Sequence, residues 1–436
     1  MVDRRSARRT RYLDRLDGAA ALILGGTHAI RNSDSEYRYR PHSDVVYLTG
    51  WEEPEVAALF RPGSDHPFVL FVLPKDKERE TWTGRRSGVE GAQEAHGADL
   101  AFPYSELAAR LPVLLQGYER LHYAYGDCAE HDRIVFGAIA NARGALRNGV
   151  CMPTKLEHSR MLTAEMRLCK DHDELAALRR AAHITADAHV AAMRAGLPGT
   201  FEYEVEAAID ATFRRAGGTG AGYTTIVGGG PNACVLHYVQ NRDRLESGSL
   251  CLVDAGAEFD WYTADVTRTW PVSGRFSSAQ RDVYTLVLEA QLAAIACARP
   301  GRPFRDMHDA AVAVLTRGMI ELGLLDGDLD ELIVEERYRK YYMHGTGHWL
   351  GLDVHDAGAY HVGLGSRVLQ AGHVVTVEPG LYIAPDDEEA PEALRGIGVR
   401  IEDDVLITPE SLGGAPDVLT SACPKSIAHV EAACAR

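Results

Sequence analysis

The stretch that most constrains this chain is a β-rich segment that carries two aspartates. The run L-C-L-V-D-A-G-A (residues 250–257) and the run Y-T-A-D-V-T-R-T-W (residues 262–270) have the composition of two consecutive strands. Four residues, 258–261, remain between them for a tight turn. The segment therefore predicts an antiparallel hairpin with one aspartate on each strand.

The register of this hairpin decides whether the two aspartates, Asp254 and Asp265, meet. If the turn is centred between residues 259 and 260, Asp254 faces Asp265 directly. Directly opposed side chains have Cβ atoms roughly 4.5–5.5 Å apart. Two carboxylates at that separation repel each other unless a cation or a shared proton lies between them. The pair is thus either half of a metal site or a solvated accident near the turn, and the hairpin alone leaves both interpretations open.

The composition is typical of a globular protein, and the length is sufficient for two or three domains with substantial cores. Of the 436 residues, 46% are hydrophobic and 25% are charged. The formal net charge of −16 argues against binding to nucleic acid or to an anionic membrane surface. No apolar run approaches the length of a membrane-spanning helix. We expect the arginine-rich start of the chain to form a solvated helix, because the apolar run after it is too short for an export signal.

The eight cysteines contain no C-x-x-C pair, and most of them lie in apolar surroundings. This pattern is typical of reduced, buried thiols in a cytoplasmic enzyme. It disfavours both a disulfide framework and a zinc–cysteine site.

Two domains are predicted, residues 1–172 and residues 173–436. The first domain alternates short β-runs with helical stretches, which indicates an α/β fold. The boundary is placed at the charged stretch K-D-H-D-E (170–174), where Asp171 or Asp173 is expected to cap a long helix. The strands predicted in the first domain cover residues 20–24, 45–49, 57–60, 68–72 and 121–124, and the helices cover 105–116 and 130–147.

The second predicted domain contains an internal repeat. Two helix–Pro-Gly–helix units lie about a hundred residues apart, and a strand-rich, glycine-rich segment follows each. This plan predicts a duplicated α+β domain whose helices pack on one face of a mixed sheet. The four predicted helices cover residues 174–195, 202–215, 278–298 and 305–322.

Three histidines, His344, His348 and His355, fall close together in the run M-H-G-T-G-H-W-L-G-L-D-V-H-D (343–356). Glycine lets the backbone approach a ligand closely, and histidine binds metals or transfers protons. The glycines and the missing glutamate exclude the H-E-x-x-H helix of zinc peptidases. The density of histidines therefore predicts a functional site.

Two later strands carry acidic residues in apolar surroundings. In V-V-T-V-E-P-G-L-Y-I (374–383), Glu378 precedes a Pro-Gly turn, and burying it is costly unless it is paired or binds a metal. In G-I-G-V-R-I-E-D-D-V (396–405), alternation places Arg400, Glu402 and Asp404 on one face. Arg400 is expected to orient Glu402, and an ordinary surface ion pair is the alternative.

The glycine-rich run I-V-G-G-G-P-N-A-C-V-L-H-Y (226–238) lacks the G-K-[ST] of a phosphate-binding loop. We interpret it as a loop that positions His237, and phosphate binding is a weaker alternative.

The candidate metal ligands comprise four carboxylates and one imidazole, with no thiolate. This set suits two divalent ions such as Mn²⁺ better than a structural Zn²⁺. Two metals about 3.5–4 Å apart are machinery for hydrolysis. The five candidates are Asp254, Asp265, His348, Glu378 and Glu402.

Taken together, V-D-A-G…D-V-T-R-T, H-G-T-G-H-W-L-G-L-D-V-H-D, V-E-P-G-L-Y and R-I-E-D-D resemble the "pita-bread" metallopeptidases, in particular the bacterial Xaa-Pro aminopeptidases (aminopeptidase P). Two runs near the start, residues 32–50 and the W-T-G-R-R-S-G of residues 82–88, resemble the amino-terminal domain of that family. The resemblance implies an α/β amino-terminal domain, which serves oligomerisation and access to the active site. It also implies an α+β pita-bread catalytic domain of the creatinase/aminopeptidase type.

The family pattern implies a role for each candidate ligand. Asp254 is expected to bind one metal, and Asp265 to bridge both. His348 and Glu378 are expected to bind the other metal, and Glu402 to form the second bridge. Because all five positions hold the expected residue types, a member without metal is disfavoured.

The resemblance also implies residues that act around the metals. A tryptophan at the position of Trp82 is expected to reach the site of a neighbouring subunit in a dimer or tetramer. The positions that match catalytic or site-lining residues of the family are His237, His344, His355, Glu378, Arg400 and Tyr382.

The implied activity is hydrolysis of the bond between an N-terminal residue and a penultimate proline by a cytoplasmic metallo-exopeptidase. The expected cofactors are two Mn²⁺ ions per subunit, with Zn²⁺ or Co²⁺ as alternatives. A prolidase, which cuts only Xaa-Pro dipeptides, is the nearest alternative and would need a basic group for the dipeptide carboxylate. A non-catalytic pita-bread binding protein is a further alternative.

Overall fold

The structure, a computed structural model, describes residues 4–435 and divides the chain into two units. The amino-terminal unit comprises Met1–Met166 and the carboxy-terminal unit Arg167–Arg436. Within the described residues, no helix combines the length and the apolar character needed to cross a membrane.

The amino-terminal unit contains one six-stranded sheet flanked by helices. Its elements are α1 (Arg4–Arg15), β1 (Ala20–Leu24), β2 (Ile30–Asn32), β3 (Ser35–Glu36), α2 (Ser43–Thr49), β4 (Ala57–Phe60), β5 (Phe68–Val72), α3 (Lys77–Thr83), α4 (Gly88–Glu94), β6 (Leu100–Pro103), α5 (Leu107–Leu114), β7 (Arg120–Tyr123), α6 (Ala129–Leu146), β8 (Lys155–Glu157) and α7 (Arg160–Leu168), the last of which runs across the boundary between the units.

The strand order in this sheet is β6-β5-β4-β1-β7-β8, with β1 antiparallel to β4 and parallel to β7. The central strands are completely buried, which explains their continuous apolar sequences. The predicted strands 20–24, 57–60 and 68–72 are confirmed, and the α/β class with them. The predicted strand 121–124 begins one residue earlier in the structure.

One predicted strand is wrong, because residues 45–49 belong to helix α2. The backbone N–H of Asp44 donates to Nδ1 of His42, which caps the helix start, and Gly50 ends the helix with a φ of 66°. All seven residues of the helix are buried. The β-branched run V-V-Y-L-T therefore packs as a buried helix, since tertiary burial overrides its strand propensity.

The arginine-rich start of the chain forms the expected helix α1, but its arginines are not all solvated. Arg8 and Arg9 are buried. The guanidinium of Arg8 lies 4.6 Å from the ring centroid of Tyr47, and that of Arg9 lies 4.7 Å from the ring of Phe68. Both side chains pack on aromatic faces, a cation–π arrangement that the charge pattern did not reveal.

The carboxy-terminal unit holds two helix pairs and several small antiparallel sheets. Its elements are α8 (His172–Ala195), α9 (Glu202–Arg215), β9 (Gly220–Ala221), β10 (Ile226–Gly229), β11 (Leu250–Asp254), β12 (Ala257–Phe259), β13 (Tyr262–Thr263), β14 (Thr267–Pro271), α10 (Ser278–Cys297), α11 (Arg305–Glu321), α12 (Leu329–Val334), β15 (His361–Val362), β16 (Gly365–Ser366), β17 (Val374–Val377), β18 (Gly380–Tyr382), β19 (Gly398–Arg400), β20 (Asp403–Leu406), β21 (Asp417–Val418) and α13 (Ile427–Cys434).

The helix pairs α8/α9 and α10/α11 each precede antiparallel strands, as the repeat predicts. Sheet β10-β11-β14 follows the first pair, and sheet β17-β20-β21 follows the second. One apolar core joins the two halves, with Ile184 and Leu315 from the helices and Val253 and Val405 from the sheets. The unit is therefore an α+β domain, as predicted, but the prediction of one mixed sheet is wrong, because its described strands form several small sheets with antiparallel pairing.

Asp171 caps α8, as one of the two predicted alternatives. Its Oδ1 accepts the backbone N–H groups of Asp173 and Glu174, while Oε2 of Glu174 accepts the N–H of Asp171. This reciprocal capping box satisfies several of the donors that a helix start leaves unpaired.

Candidate metal centre

The hairpin that carries Asp254 and Asp265 exists, but its predicted register is wrong. Asp254 pairs with Thr267 across the ladder, and Phe259 pairs with Tyr262. The turn therefore lies at residues 260–261, one position later than predicted. Asp260 and Trp261 both have positive φ angles, 50° and 70°. A two-residue turn of this kind matches the twist of the strands, and Trp261 is an unusual residue to occupy it.

The shifted register still leaves the two aspartates on one face, as diagonal neighbours of the ladder. The hydroxyl oxygen of Tyr223 lies 2.6 Å from Oδ1 of Asp254 and 2.5 Å from Oδ1 of Asp265. Asp265 is almost completely buried, and both oxygens of the Asp404 carboxylate lie 3.2 Å from its backbone nitrogen. Tyr223 thus links the two carboxylates, and Asp404 holds the backbone of Asp265.

His348 and Glu378 approach this pair from the second half of the repeat. Nε2 of His348 lies 3.3 Å from Oδ2 of Asp265 and 3.5 Å from Oε1 of Glu378. Nδ1 of His348 lies 3.0 Å from the carbonyl oxygen of Trp349. A hydrogen bond to that oxygen places the ring proton on Nδ1 and leaves Nε2 as a ligand atom.

The cluster is electrostatically costly without a cation. Burial raises the pKa of Asp265, raises that of Glu378 to about 7 and raises that of Glu402 well above its usual range. Burial by itself lowers the pKa of His348, but the hydrogen bond to Asp265 and the charge of Glu378 outweigh it and raise the pKa to about 9. The shifts of the three carboxyl groups arise first from burial and then from their mutual repulsion, and His348 offsets part of that negative charge.

These side chains fit a metal ion. Asp265, His348 and Glu402 each offer a ligand atom, and the three atoms lie within 4.8 Å of one another. Carboxylate oxygens with one imidazole nitrogen are a donor set for hard or borderline divalent ions. The fit rests on the buried carboxylates, whose charge a divalent ion would balance.

Arg400 contacts Asp254 and reaches Glu402 through a threonine. Its Nη2 lies 2.6 Å from Oδ2 of Asp254, and its Nε donates to Oγ1 of Thr267 at 3.0 Å. The Thr267 hydroxyl then donates to Oε2 of Glu402 at 2.6 Å. Arg400 therefore acts on Glu402 through the threonine hydroxyl. Its direct ionic partner is Asp254.

The remaining predicted histidines surround the carboxylates. Nε2 of His344 lies 2.9 Å from the hydroxyl of Tyr382, which also accepts a hydrogen bond from Arg400. Burial, with the charge of Arg400, lowers the pKa of His344 to about 4. The ring of His355 meets that of His348 edge-on, with centroids 4.4 Å apart. Two neutral imidazoles next to the carboxylates can donate or accept protons.

The five candidate ligands, with Tyr223, His344, His355 and Arg400, line one cavity of about 480 Å³ in the carboxy-terminal unit. Its apolar lining includes Ile226, Leu236 and Val239. Tyr382 is buried behind His344, and Trp82 lies in the amino-terminal unit, where its side chain is 85% exposed. The roles assigned to the individual residues remain predictions.

His237 is exposed and lines this cavity from the loop between β10 and β11. A completely buried carboxylate, Glu202 at the start of α9, holds this loop. Its Oε1 accepts from the N–H of Gly229 at 2.8 Å and from the side chain of Asn232 at 3.0 Å. Its Oε2 accepts from the hydroxyl of Tyr238 at 2.8 Å and from the N–H of Asp243 at 2.9 Å. The four groups that donate to Glu202 belong to residues before and after His237 in the chain. Glu202 is thus a positioning residue for His237.

The glycines of this loop serve packing. A Cβ at Gly228 would lie 2.9 Å from the backbone of Asn232, and one at Gly229 would lie 2.6 Å from a methyl carbon of Leu245. The N–H of Gly229 is committed to Glu202. These contacts support the interpretation as a positioning loop over phosphate binding.

Three residues of the site were missed at the sequence level. Thr267 stands two positions after Asp265 and shares its face, so alternation could have indicated it. In the sequence, Glu202 is one of several acidic residues at the start of a helix, and nothing distinguishes it from the others. Tyr223 follows a short glycine run, and no local pattern connects it with the aspartates. The contacts of Glu202 and Tyr223 are tertiary.

Comparison with known proteins agrees with this geometry. Residues 176–409 match the model of metallopeptidase family M24, and residues 6–123 match that of the aminopeptidase P N-terminal domain. The chain belongs to metallopeptidase family M24.

Its relatives include the Xaa-Pro aminopeptidase of Escherichia coli K12, which is 45% identical over 393 residues, covering 90% of this chain and 89% of the relative. The structure of the aminopeptidase PepP of Pseudomonas aeruginosa superimposes with a TM-score of 0.96 at 44% identity, covering 99% and 97% of the two chains. A zinc-substituted aminopeptidase P of Escherichia coli in complex with product superimposes with a TM-score of 0.94 at 42% identity, covering 99% and 97%. The two-domain pita-bread architecture is therefore confirmed.

In this M24 peptidase, replacing Glu402 with glutamine is expected to remove activity and to lower the metal content. The neutral amide cannot balance a cation, yet it also relieves repulsion in the metal-free protein. We therefore expect the metal-free variant to melt at or above the metal-free wild type, and Mn²⁺ to raise the melting temperature of the wild type alone. Elemental analysis and calorimetry measure both effects, and Glu410→Gln, an exposed change, is the control. Full metal content in Glu402→Gln would contradict this assignment.

Replacing Glu202 with glutamine is expected to lower kcat about 10- to 100-fold by displacing His237. The amide places an NH₂ group against at least one N–H donor, so a hydrogen bond is lost in a buried position. In a His237→Ala background, the same change should cost little further activity. Glu204→Gln, on the exposed side of the same helix, is the control. Equal losses of kcat in both backgrounds would show that Glu202 does not act through His237.

Proposed function

We propose that this chain is an Xaa-Pro aminopeptidase that releases the N-terminal residue from peptides with proline in the second position. The observation that carries the proposal is the buried cluster of carboxylates with His348 in one cavity, in a chain whose relatives bear that name. The intact ligand set disfavours the non-catalytic alternative.

The proposed cofactors are two divalent ions per subunit, with Mn²⁺ favoured by the predominance of oxygen ligands. Asp254, His348 and Glu378 would each hold one ion, and Asp265 and Glu402 would contact both. When bound, such ions lower the pKa of a water and polarise the scissile carbonyl.

The chain's own residues then serve the substrate. The carboxylate-rich cavity attracts the free ammonium of the peptide, which fixes the end from which cleavage occurs. His355 or His237 stabilises the negative charge that develops on the carbonyl oxygen. Glu378 accepts a proton from the attacking water and passes it to the leaving nitrogen. Because a prolyl nitrogen bears no hydrogen, a site that needs no hydrogen bond from it accepts this substrate.

We further propose that the enzyme works in the cytoplasm as a dimer or tetramer. All eight cysteines are free thiols, which suits a reducing compartment. Trp82 lies on the short helix α3 and is 85% exposed, so it is accessible to a neighbouring subunit. In the proposed oligomer, this indole reaches the catalytic cavity of a neighbouring subunit.

The purified protein with Mn²⁺ is expected to release the first residue from Xaa-Pro tripeptides and longer peptides, and to cleave the Xaa-Pro dipeptide more slowly. Replacement of the second residue by alanine should sharply reduce turnover. Chromatography of the released amino acid measures both effects. A strict preference for the dipeptide would favour the prolidase alternative.

Mixed oligomers, formed by coexpression of two variants, test the role of Trp82. Trp82→Ala keeps the metal ligands, and Glu402→Gln keeps the indole, so their coexpression should give more activity than either parent. Coexpression of Trp82→Ala with the double variant Trp82→Ala/Glu402→Gln is the control and should give no gain. Mixed oligomers that form without any gain would show that the indole does not serve a neighbour.

A further inference from the structure

A second cavity of about 380 Å³ adjoins the catalytic cavity on the other side of a glycine-rich loop. The loop residues His344, Gly345 and Gly347 line both cavities. We call this second space the cationic cavity, because Arg305 and Arg339 are among its lining residues, together with the histidines His308 and His361. None of the described residues that line it is acidic, in contrast to the four carboxylates of its neighbour.

The floor of the cationic cavity is aromatic. The ring of Phe304 meets that of Tyr360 edge-on at 5.1 Å, and both pack on the buried indole of Trp349. Nδ1 of His308 lies 2.9 Å from Oγ1 of Thr346, which fixes this imidazole against the shared loop. The cavity therefore combines an apolar surface for a side chain with positive groups at its edge.

Each of the two arginines has an acidic partner that a ligand carboxylate can replace. Arg305 pairs with Asp309 at 3.2 Å, and Arg339 pairs with Glu336 at 2.8 Å. In each pair the two residues are close neighbours in the sequence. All four side chains are more than half exposed, and neither acid lines the cavity. Exposed pairs with a single contact contribute little stability, so a ligand carboxylate can replace Asp309 at small cost. The pair of Arg339 with Glu336 has a second contact, from Nη2 to Oε1 at 3.1 Å, and costs more to exchange.

The loop shared by the two cavities has open space beside one of its glycines. A Cβ at Gly345 would meet no heavy atom within 4 Å, and the backbone there is not left-handed. Neither packing nor conformation demands glycine at this position, whereas a Cβ at Gly347 would collide with the carbonyl oxygen of Thr376. The missing side chain at Gly345 leaves open space where the two cavities adjoin.

We propose that the cationic cavity receives the carboxyl-terminal end of short peptide substrates, whose free carboxylate pairs with Arg305 and Arg339. This inference rests on the proposed function, in which the ammonium end of the peptide occupies the acidic cavity. The residues that follow proline then cross the loop at Gly345 and enter the cationic cavity, whose charge is opposite to that of the acidic cavity. The arrangement favours oligopeptides with a free carboxylate, and a dipeptide is too short to use it.

The test is a ladder of Xaa-Pro peptides of increasing length, each as free acid and as C-terminal amide, assayed on the whole enzyme with Mn²⁺. At one length we expect kcat/KM for the acid to exceed that for the amide by about three- to fivefold, through KM, as for an exposed ion pair. Arg305→Gln/Arg339→Gln should abolish the difference, and high salt should shrink it. Arg317→Gln, an exposed charge loss on the same helix, should preserve it.

Because the acid-to-amide ratio is measured within each variant, a general loss of stability does not change it. An equal rate for acid and amide at every length, or a preference that survives in the double arginine variant, would overturn the inference and leave the proposed function standing. If no Xaa-Pro peptide of any length were cleaved, the proposed function would fall, and this inference with it.

Discussion

The concentration of four carboxylates in one largely buried cavity is the constraint on which the carboxy-terminal unit depends. Asp265 and Glu402 are nearly inaccessible to water, so their charges repel in a medium of low dielectric. His348 and Arg400 supply part of the compensating charge, and Arg400 is committed to Asp254. The cluster is therefore a candidate metal site, in which a bound cation would offset the charge of the carboxylates.

The scaffold behind the cavity keeps this unfavourable cluster in place. Arg268 and Asp403 form a completely buried ion pair with a 2.7 Å separation, and Lys425 adds a second cation at 2.6 Å. Arg268 also donates to the backbone carbonyl of Glu402 at 2.5 Å. A buried pair of this kind adds little net stability, but breaking it costs about 3–5 kcal/mol. The pair thus ties β14 to the strand that follows Glu402 and holds that carboxylate beside Thr267.

Much of the architecture was predictable because it depends on local chemistry. The apolar strands of the first unit, the four long helices of the second and the cap at Asp171 all follow from patterns within a few residues. The strand predicted at residues 45–49 failed because a β-branched run is compatible with a buried helix when its caps are supplied by His42 and Gly50. Local propensity could not weigh that tertiary burial.

For the candidate site in the carboxy-terminal unit, the sequence by itself determined which residue types are available and in which five segments they stand. The tertiary structure decided how they meet. The turn at Asp260 and Trp261 set the register that makes Asp254 and Asp265 diagonal instead of facing neighbours. Packing brought Tyr223 between them and placed Glu202 under the loop of His237. These contacts join segments far apart in the chain, and only folding brings such partners within hydrogen-bonding distance.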